Sequence, residues 1–287
     1  MKNRLFVNIL IPAAALLLVF SAIISRQSAE NYTIPENQLQ LHFLDVGQGD
    51  CILAVLPNGK TMLIDAGGGD SAESTIKYIK NYKISKIDLL IATHPHEDHI
   101  GGMDEVISNF DIGEVYMPKV TTNTRAFENL LLAIKQKNLK VSTARSGVIL
   151  FEENGFKAEF LAPINQDYEE LNNYSAVTKI TFGQTSFLLC GDAEDISENE
   201  MLKNNADLKA GVIKIAHHGS NSSSIKGFLR AVSPKEAVIS VGKDNSYNHP
   251  SKKTLQRIIE EGAVIYRTDE MGTIVITSDG SDIKVGY

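Results

Sequence analysis

The run Thr93-His94-Pro95-His96-Glu97-Asp98-His99 constrains this chain more than any other stretch, because it gathers three of the seven histidines and carboxylates between them. Imidazole nitrogen and carboxylate oxygen are the donors that Zn²⁺ and similar ions take from proteins. The run follows an apolar segment, Asp88 to Thr93, that reads as a strand, and it precedes Gly101-Gly102. Pro95 disfavours regular helix at His94, so the donors are expected on a loop at a strand end. His94 and His96, two residues apart, can turn to one side and share one ion. Asp98 and His99 come round the turn toward a second.

The surrounding chain reads as strands followed by helices, twice over. Leu39 to Val46, Cys51 to Leu56 and Thr61 to Asp65 are strand-like runs split by Gly47-Gln48-Gly49-Asp50 and Pro57-Asn58-Gly59, both turn chemistry. Ser71 to Tyr82, Asp104 to Phe110 and Thr124 to Lys137 read as helices. In the second half Val148 to Phe151, Phe156 to Leu161, Val177 to Phe182, Ser186 to Cys190, Val212 to Ala216, Ala237 to Val241, Val264 to Arg267 and Thr273 to Thr277 read as strands. Ile196 to Lys203, Ser224 to Val232 and Ser251 to Glu260 read as helices among them. The alternation predicts an α/β protein with two sheets packed together and helices outside. A composition of 43% hydrophobic and 22% charged residues suits a globular core and excludes a disordered chain or a coiled coil.

The N-terminus differs from the rest. Lys2 and Arg4 precede Leu5 to Ile24, a run broken only by Asn8, Pro12 and Ser21. As a helix it would span a hydrocarbon core of roughly 30 Å, and the preceding cations keep the N-terminus inside. Two readings remain: an uncleaved anchor, or a signal peptide removed on export. The length of the run and the poor cleavage site at Gln27-Ser28-Ala29 favour the anchor. The expected layout is an anchor or signal segment over 1–25, a linker over 26–37 and a folded domain over 38–287. That domain would be held at the cell membrane by a single span and lie outside the cytoplasm, or be secreted. A net charge of −7 excludes a strongly basic nucleic-acid footprint over the whole chain, although ions bound in a cleft would add positive charge there. Cys51 and Cys190 sit in apolar runs and read as buried thiols; a disulfide is the other reading.

Two further pieces follow the histidine run in order. Gly191-Asp192 ends a second apolar strand, and His217-His218-Gly219-Ser220 ends a third. The set resembles the HxHxDH pattern of the metallo-β-lactamase superfamily, from about Leu39 to the end. Asp45-Val46-Gly47-Gln48-Gly49-Asp50, Leu63-Ile64-Asp65-Ala66-Gly67, the His217-His218-Gly219-Ser220 run and Tyr247-Asn248-His249-Pro250 narrow the resemblance to the extracellular hydrolase domain of ComEC-type DNA-uptake proteins. Such proteins carry a multi-span channel, whereas this chain reads as one span at most, so it is similar to a free-standing relative.

The resemblance implies the metallo-β-lactamase fold, a four-layer αβ/βα sandwich of two mixed sheets with helices outside. It implies one or two divalent ions, Zn or Mn, held by His94, His96, Asp98, His99, Asp192, His217 and His218. It also implies hydrolysis of a phosphodiester, with DNA as the first substrate, through a metal-bound hydroxide. Many members place a further histidine between HxHxDH and Gly-Asp. None lies between His99 and His217 here, and Asn172-Asn173-Tyr174-Ser175 occupies that stretch. Oxygen donors there would tilt the first position toward Mn²⁺ or loosely held Zn²⁺.

Asp98, His218 and His249 are the catalytic candidates, and Ser220, Asn221, Asn173 and Ser175 the substrate-binding ones. Ser220, Asn221 and Ser222 could cap the following helix or bind an anion at its start. Asp65 would fix a ligand histidine or cap a turn. Asp45 and Asp50 read equally as loop structure or substrate contacts, and His42 as an ordinary strand residue. Because neighbours on a strand face opposite ways, one of His217 and His218 is expected to ligate the second metal and the other to face substrate. A different ester or amide as substrate, or an exported metal-binding module without activity, are the rival readings.

Overall fold

The computed structural model describes residues 37–287; the apolar segment Leu5 to Ile24 and the linker up to residue 36 lie outside the described residues. In the first half of the chain the elements run β1 (Leu39–Phe43), β2 (Ile52–Val55), β3 (Thr61–Ile64), α1 (Ala72–Asn81), β4 (Lys86–Ile91), α2 (Glu97–Ile100), α3 (Met103–Asn109), β5 (Asp111–Met117), α4 (Arg125–Gln136) and β6 (Val141–Thr143). In the second half β7 (Ile149–Glu153), β8 (Phe156–Phe160), β9 (Thr178–Phe182), β10 (Thr185–Leu189), α5 (Asp195–Lys203), β11 (Val212–Lys214), α6 (Lys226–Val232) and β12 (Glu236–Ile239) come first. They are followed by α7 (Lys252–Glu260), β13 (Val264–Arg267), α8 (Thr268–Met271), β14 (Ile274–Ser278) and β15 (Ile283–Gly286).

The strands form two sheets. One has the order β15-β14-β1-β2-β3-β4-β5-β6 and the other β13-β12-β11-β10-β9-β8-β7. Both are mixed. β1 pairs antiparallel with β2 and β14, while β3 through β6 run parallel; β7 through β10 alternate, while β10 through β13 run parallel.

Period-two alternation of side chains builds the layers. Phe43, Ile64, Phe160, Phe187 and Leu189 fill the space between the sheets. Leu53, Leu63 and Leu90 point the other way and meet Ile79 of α1, Val106 of α3 and Leu130 of α4. Leu188, Ile213 and Ile239 meet Met201 of α5, Phe228 of α6 and Ile258 of α7. Strands buried on both faces explain why the sequence shows continuous apolar runs instead of clean alternation. This is the four-layer α/β arrangement the sequence predicts.

The differences are local. β1 stops at Phe43, because Leu44 turns to bond the Cys51 carbonyl across the Gly-rich loop. β5 and β6 were not predicted, since their faces are half exposed and their apolar pattern is weak. Asp98 and His99 lie on the one-turn helix α2, which His96 starts in extended conformation, so only His94 to His96 are loop as expected. Both cysteines are buried free thiols, and His42 is a buried strand residue. No helix among the described residues is long and apolar enough to cross a membrane.

Candidate metal centre

Parallel strands β4, β10, β11 and β12 end at one edge of the sandwich, and the loops that follow them converge there. Open α/β sheets bind ligands beyond the carboxyl ends of such strands. On the side of the first sheet, β3 ends in Asp65, whose φ of 58° lies in the left-handed region. That turn aims the carboxylate back under the β4 loop. It accepts the Thr93 amide at 2.8 Å, the Thr93 hydroxyl at 2.7 Å and His99 Nδ1 at 2.7 Å. With Nδ1–H committed to Asp65, His99 Nε2 faces the cleft. His94 Nε2 lies 2.9 Å from His96 Nδ1, and Thr93 Oγ1 stands 3.1 Å from His94 Nδ1. Gly49 brings the Gly-rich loop against this turn: at φ 136° any Cβ would collide with the Asp98 carbonyl, which the Asp50 amide bonds at 3.2 Å.

The second sheet supplies the other wall. Asp192, after β10, is 2% exposed, and its amide donates to Ser175 Oγ at 3.0 Å. After β11, His217 and His218 take φ of 50° and 51°. His218 Nδ1 donates to the Ser240 carbonyl at 2.9 Å, leaving Nε2 at 3.2 Å from Asp98 Oδ2 and 3.5 Å from Asp192 Oδ2. His217 Nδ1 lies 3.1 Å from Glu194 Oε1, and its Nε2 lies 3.9 Å from Asp192 Oδ2.

The donor set fits a divalent metal. Asp98, His99, Asp192 and His218 each present a donor atom, all within 4.8 Å of one another. His99 Nε2 and Asp192 Oδ1 are buried with no hydrogen-bond partner, and such atoms in a native protein point to a ligand. Burial alone would lower His99, but Asp192, Asp65 and Asp98 outweigh it and hold the imidazole well above its ordinary value. The same balance, led by Asp192, takes His218 up to about 9. Burial opposes ionisation of Asp192 too, yet His218 and His99 hold it well below the usual carboxylate range. His94 goes the other way: burial, reinforced by the charge of His99, lowers it well below the ordinary imidazole value. Convergent carboxylates thus draw positive charge to this point, and protons and metal ions compete for the same lone pairs.

A second acidic group, Asp50, Asp65 and His99, lies beside the first. Its need for a cation is met from within the chain. Lys214, at the end of β11 and 0% exposed, donates to Asp50 Oδ2 and, at 3.1 Å, to the Gly191 carbonyl. Burial would discharge the ammonium, but Asp50 and Asp192 hold its pKa above the ordinary value.

The structure therefore gathers His94, His96, Asp98, His99, Asp192, His217 and His218 at one place, with Asp65 beneath them. His249 joins them on the cleft wall, its ring 5.5 Å from that of His217 and stacked on Tyr247. Four expectations need correction. Asn173 and Ser175 are buried behind Asp192 and do not line the cleft: Asn173 Oδ1 accepts the Ser197 amide, and Ser175 Oγ braces Asp192. Ser220 is buried and bonded to Ser222 Oγ, and Asn221 is exposed with its Oδ1 accepting from Arg257; neither is among the residues that line the cleft. No serine caps the next helix: its N-cap position is Ile225, and Glu198 accepts the Ser224 and Ile225 amides just before the first turn. His217 and His218 do not close a strand; β11 ends at Lys214, and both rings approach the same Asp192 oxygen.

Sequence reasoning missed Lys214 and Glu194 and left Asp50 undecided. A lysine inside the apolar run Val212 to Ala216 is the signal that pointed to the first. Glu194 carried none, since an acidic residue at a helix start is ordinary.

The chain belongs to the metallo-β-lactamase superfamily, whose pattern it matches over residues 44–243. It is 30% identical over 260 residues to the ComE operon protein 3 of Bacillus subtilis (strain 168), covering 85% of this chain and 33% of that protein. It is 28% identical over 243 residues to the competence protein ComA of Neisseria gonorrhoeae, covering 84% and 32%. The chain thus spans about a third of the length of these relatives. Among solved structures, CmlA, a diiron β-hydroxylase from Streptomyces venezuelae, superposes with a TM-score of 0.53 at 17% identity, covering 82% of this chain and 53% of that one, a likeness of fold alone.

Proposed function

We propose that this protein is a metal-dependent phosphodiesterase that cleaves DNA outside the cytoplasmic membrane. One observation carries the hydrolytic part. Asp192 Oδ2 has the Nε2 atoms of His99, His218, His217 and His94 at 3.2, 3.5, 3.9 and 4.0 Å, so one carboxylate is shared by two groups of donors. His94 and His96 would hold one ion, and Asp98, His99 and His218 the other. When bound, such ions make water nucleophilic near neutral pH and offset charge on a phosphoryl oxygen.

The chain's own residues do the rest. Asp65 and the Ser240 carbonyl fix which nitrogen of His99 and of His218 faces the cleft. The cleft, of about 640 Å³, is open and bordered by Gln48, Glu97, Thr124 and Tyr247, which leaves room for a chain-like substrate. His249 lines the same cleft, and burial together with His217 and His218 holds its imidazole below the ordinary value, so it is suited to accept a proton there. The resemblance to competence proteins supports DNA as substrate. Lys2 and Arg4 before Leu5 to Ile24 support a domain held outside the membrane.

The test uses the full-length chain, stripped with chelator and reloaded with Mn²⁺ or Zn²⁺. Cleavage of bis-p-nitrophenyl phosphate and of single- or double-stranded DNA, restored by metal, is expected. A loaded protein that opens lactams or thioesters but no phosphodiester overturns the substrate. One that binds metal and hydrolyses nothing overturns the enzyme. Protease added to intact cells should digest the domain while a cytoplasmic control survives; protection of both overturns the topology.

A further inference from the structure

We propose that Tyr247, backed by the His249 ring, is a stacking platform for an unpaired nucleobase beside the scissile phosphate, and that it makes the protein prefer single strands to duplex. The inference rests on the phosphodiesterase reading above and names the form of nucleic acid that the cleft takes.

Among the described residues two aromatic side chains are exposed, Tyr247 at 66% and Tyr287, the last residue, at 75%. Tyr247 lines the cleft together with Asp192, His217 and His249. Its ring lies 17° from the plane of the His249 ring, with centroids 5.8 Å apart, within the range of offset stacking. The His249 ring is 5.5 Å from that of His217, and His217 Nε2 is 3.9 Å from Asp192 Oδ2. The tyrosine thus connects through His249 and His217 to the carboxylate at the centre of the site. A base attached beside a phosphate held there comes within reach of its ring. No lysine or arginine is among the residues that line the cleft, whereas Asp70, Glu97, Asp98 and Asp192 are. Proteins that grip nucleic acid by its phosphates do so largely with Lys and Arg. Beyond bound ions, the grip here must come from the bases.

The loop that carries the ring is braced. Asn245 holds it from within: Nδ2 donates to the Gly242 carbonyl at 2.9 Å and to the His249 carbonyl at 2.7 Å, and Oδ1 accepts the His249 amide at 3.0 Å. Gly242 packs on the Gly-rich loop of the first sheet, where any Cβ would meet the Gln48 nitrogen at 2.6 Å. At the other end the Ser251 amide donates to the Gly219 carbonyl at 2.8 Å. A ring on a braced loop loses little freedom when a flat partner covers it. Every base has a π-face, so such a ring takes single strands with little regard to sequence. In a duplex the bases already stack on their neighbours, and freeing one is costly.

The experiment compares full-length wild type, Tyr247→Ala, Tyr247→Leu and Tyr247→Phe, all loaded with the same metal. KM and kcat are measured on a single-stranded oligonucleotide, on its duplex, and on the single strand with one base removed at successive positions. Wild type should cleave the single strand at the higher kcat/KM. Tyr247→Ala and Tyr247→Leu should raise the single-strand KM about tenfold or more, the scale for losing one base stack, with kcat and the duplex KM unchanged. Tyr247→Phe should match wild type, since the ring remains. Removing the base beside the cleaved bond should raise KM for wild type and add nothing in Tyr247→Ala. A single-strand KM unchanged in Tyr247→Ala, an equal loss on single strand and duplex, or a loss in Tyr247→Phe as large as in Tyr247→Ala overturns the proposal and leaves the phosphodiesterase reading standing. Quenching of a 2-aminopurine base by wild type but not by Tyr247→Ala reads the stack without cleavage. Wild type that shows this quenching but cleaves no phosphodiester overturns only the function proposed above; wild type that does neither overturns both.

Discussion

The two walls of the cleft are built differently. The first sheet presents its donors from one short run, His94 to His99, and locks them with carboxylates that lie on neighbouring loops, Asp65 above all. The second sheet presents Asp192 and the histidine pair from separate strand ends and braces them from outside. Lys214 lies beneath, Glu194 beside His217, and Glu198 under the loop leading to α6. One wall is rigid because its donors share a single turn. The other is rigid only because charged groups from several elements meet it. Donors within one turn are positioned by local structure; donors from separate strands need a buried support for each.

The comparison is most exposed at Asp192, the residue both walls use. Asp192→Asn should lower metal-dependent hydrolysis by on the order of 10³-fold, the scale for removing one electrostatic group at a reacting centre. His94→Ala combined with His96→Ala should strip the metal position that these two histidines hold, while an ion held by Asp98, His99 and His218 stays. If metal analysis shows full content in that double variant, the first wall has been misassigned.

Lys214 tests the supports. Lys214→Met leaves Asp50 as an uncompensated buried carboxylate, which costs about 3–5 kcal/mol of stability. Adding Asp50→Asn should restore much of the loss. Urea unfolding of both variants decides it, and a double variant no better than Lys214→Met would mean the pair does not act as a unit.

Asp65 compares the tightness of the two walls. Asp65→Asn should weaken metal binding about 10–100-fold, and more than Glu194→Gln does, because Asp65 is fully buried while the Glu194 side chain keeps 15% of its surface exposed. Equal losses would erase the distinction between the walls.

The smallest effect belongs to Glu198. Burial pushes its carboxyl up to about 8, even against the two backbone amides it accepts. A group whose folded value is raised contributes stability that is complete below its unfolded value, about 4.5, and is lost as pH rises through about 8. Relative to Glu198→Gln, wild type should therefore lose a few degrees of Tm between pH 5 and pH 9. Parallel pH profiles of the two proteins would refute this.

The sequence by itself determined the class of fold and the chemistry of the first wall. Apolar runs of strand length separated by turn residues dictate two buried sheets. HxHxDH is contiguous, so its donors must be neighbours in space whatever the rest does. Asp192 and the His217-His218 pair were legible as well, through their order after strands. Their division of labour was not. Alternation along a strand predicted opposed rings, and only two left-handed residues beyond the end of β11 turned both inward. The mistaken roles of Asn173, Ser175, Ser220 and Asn221 have the same origin: polarity in a loop says nothing about whether the loop faces the cleft or the sheet behind it. Lys214 and Glu194 became part of the site only in three dimensions. A single charge shows its role only when its partner, 164 residues away for Asp50 and Lys214, is brought against it by the packing of one sheet on the other.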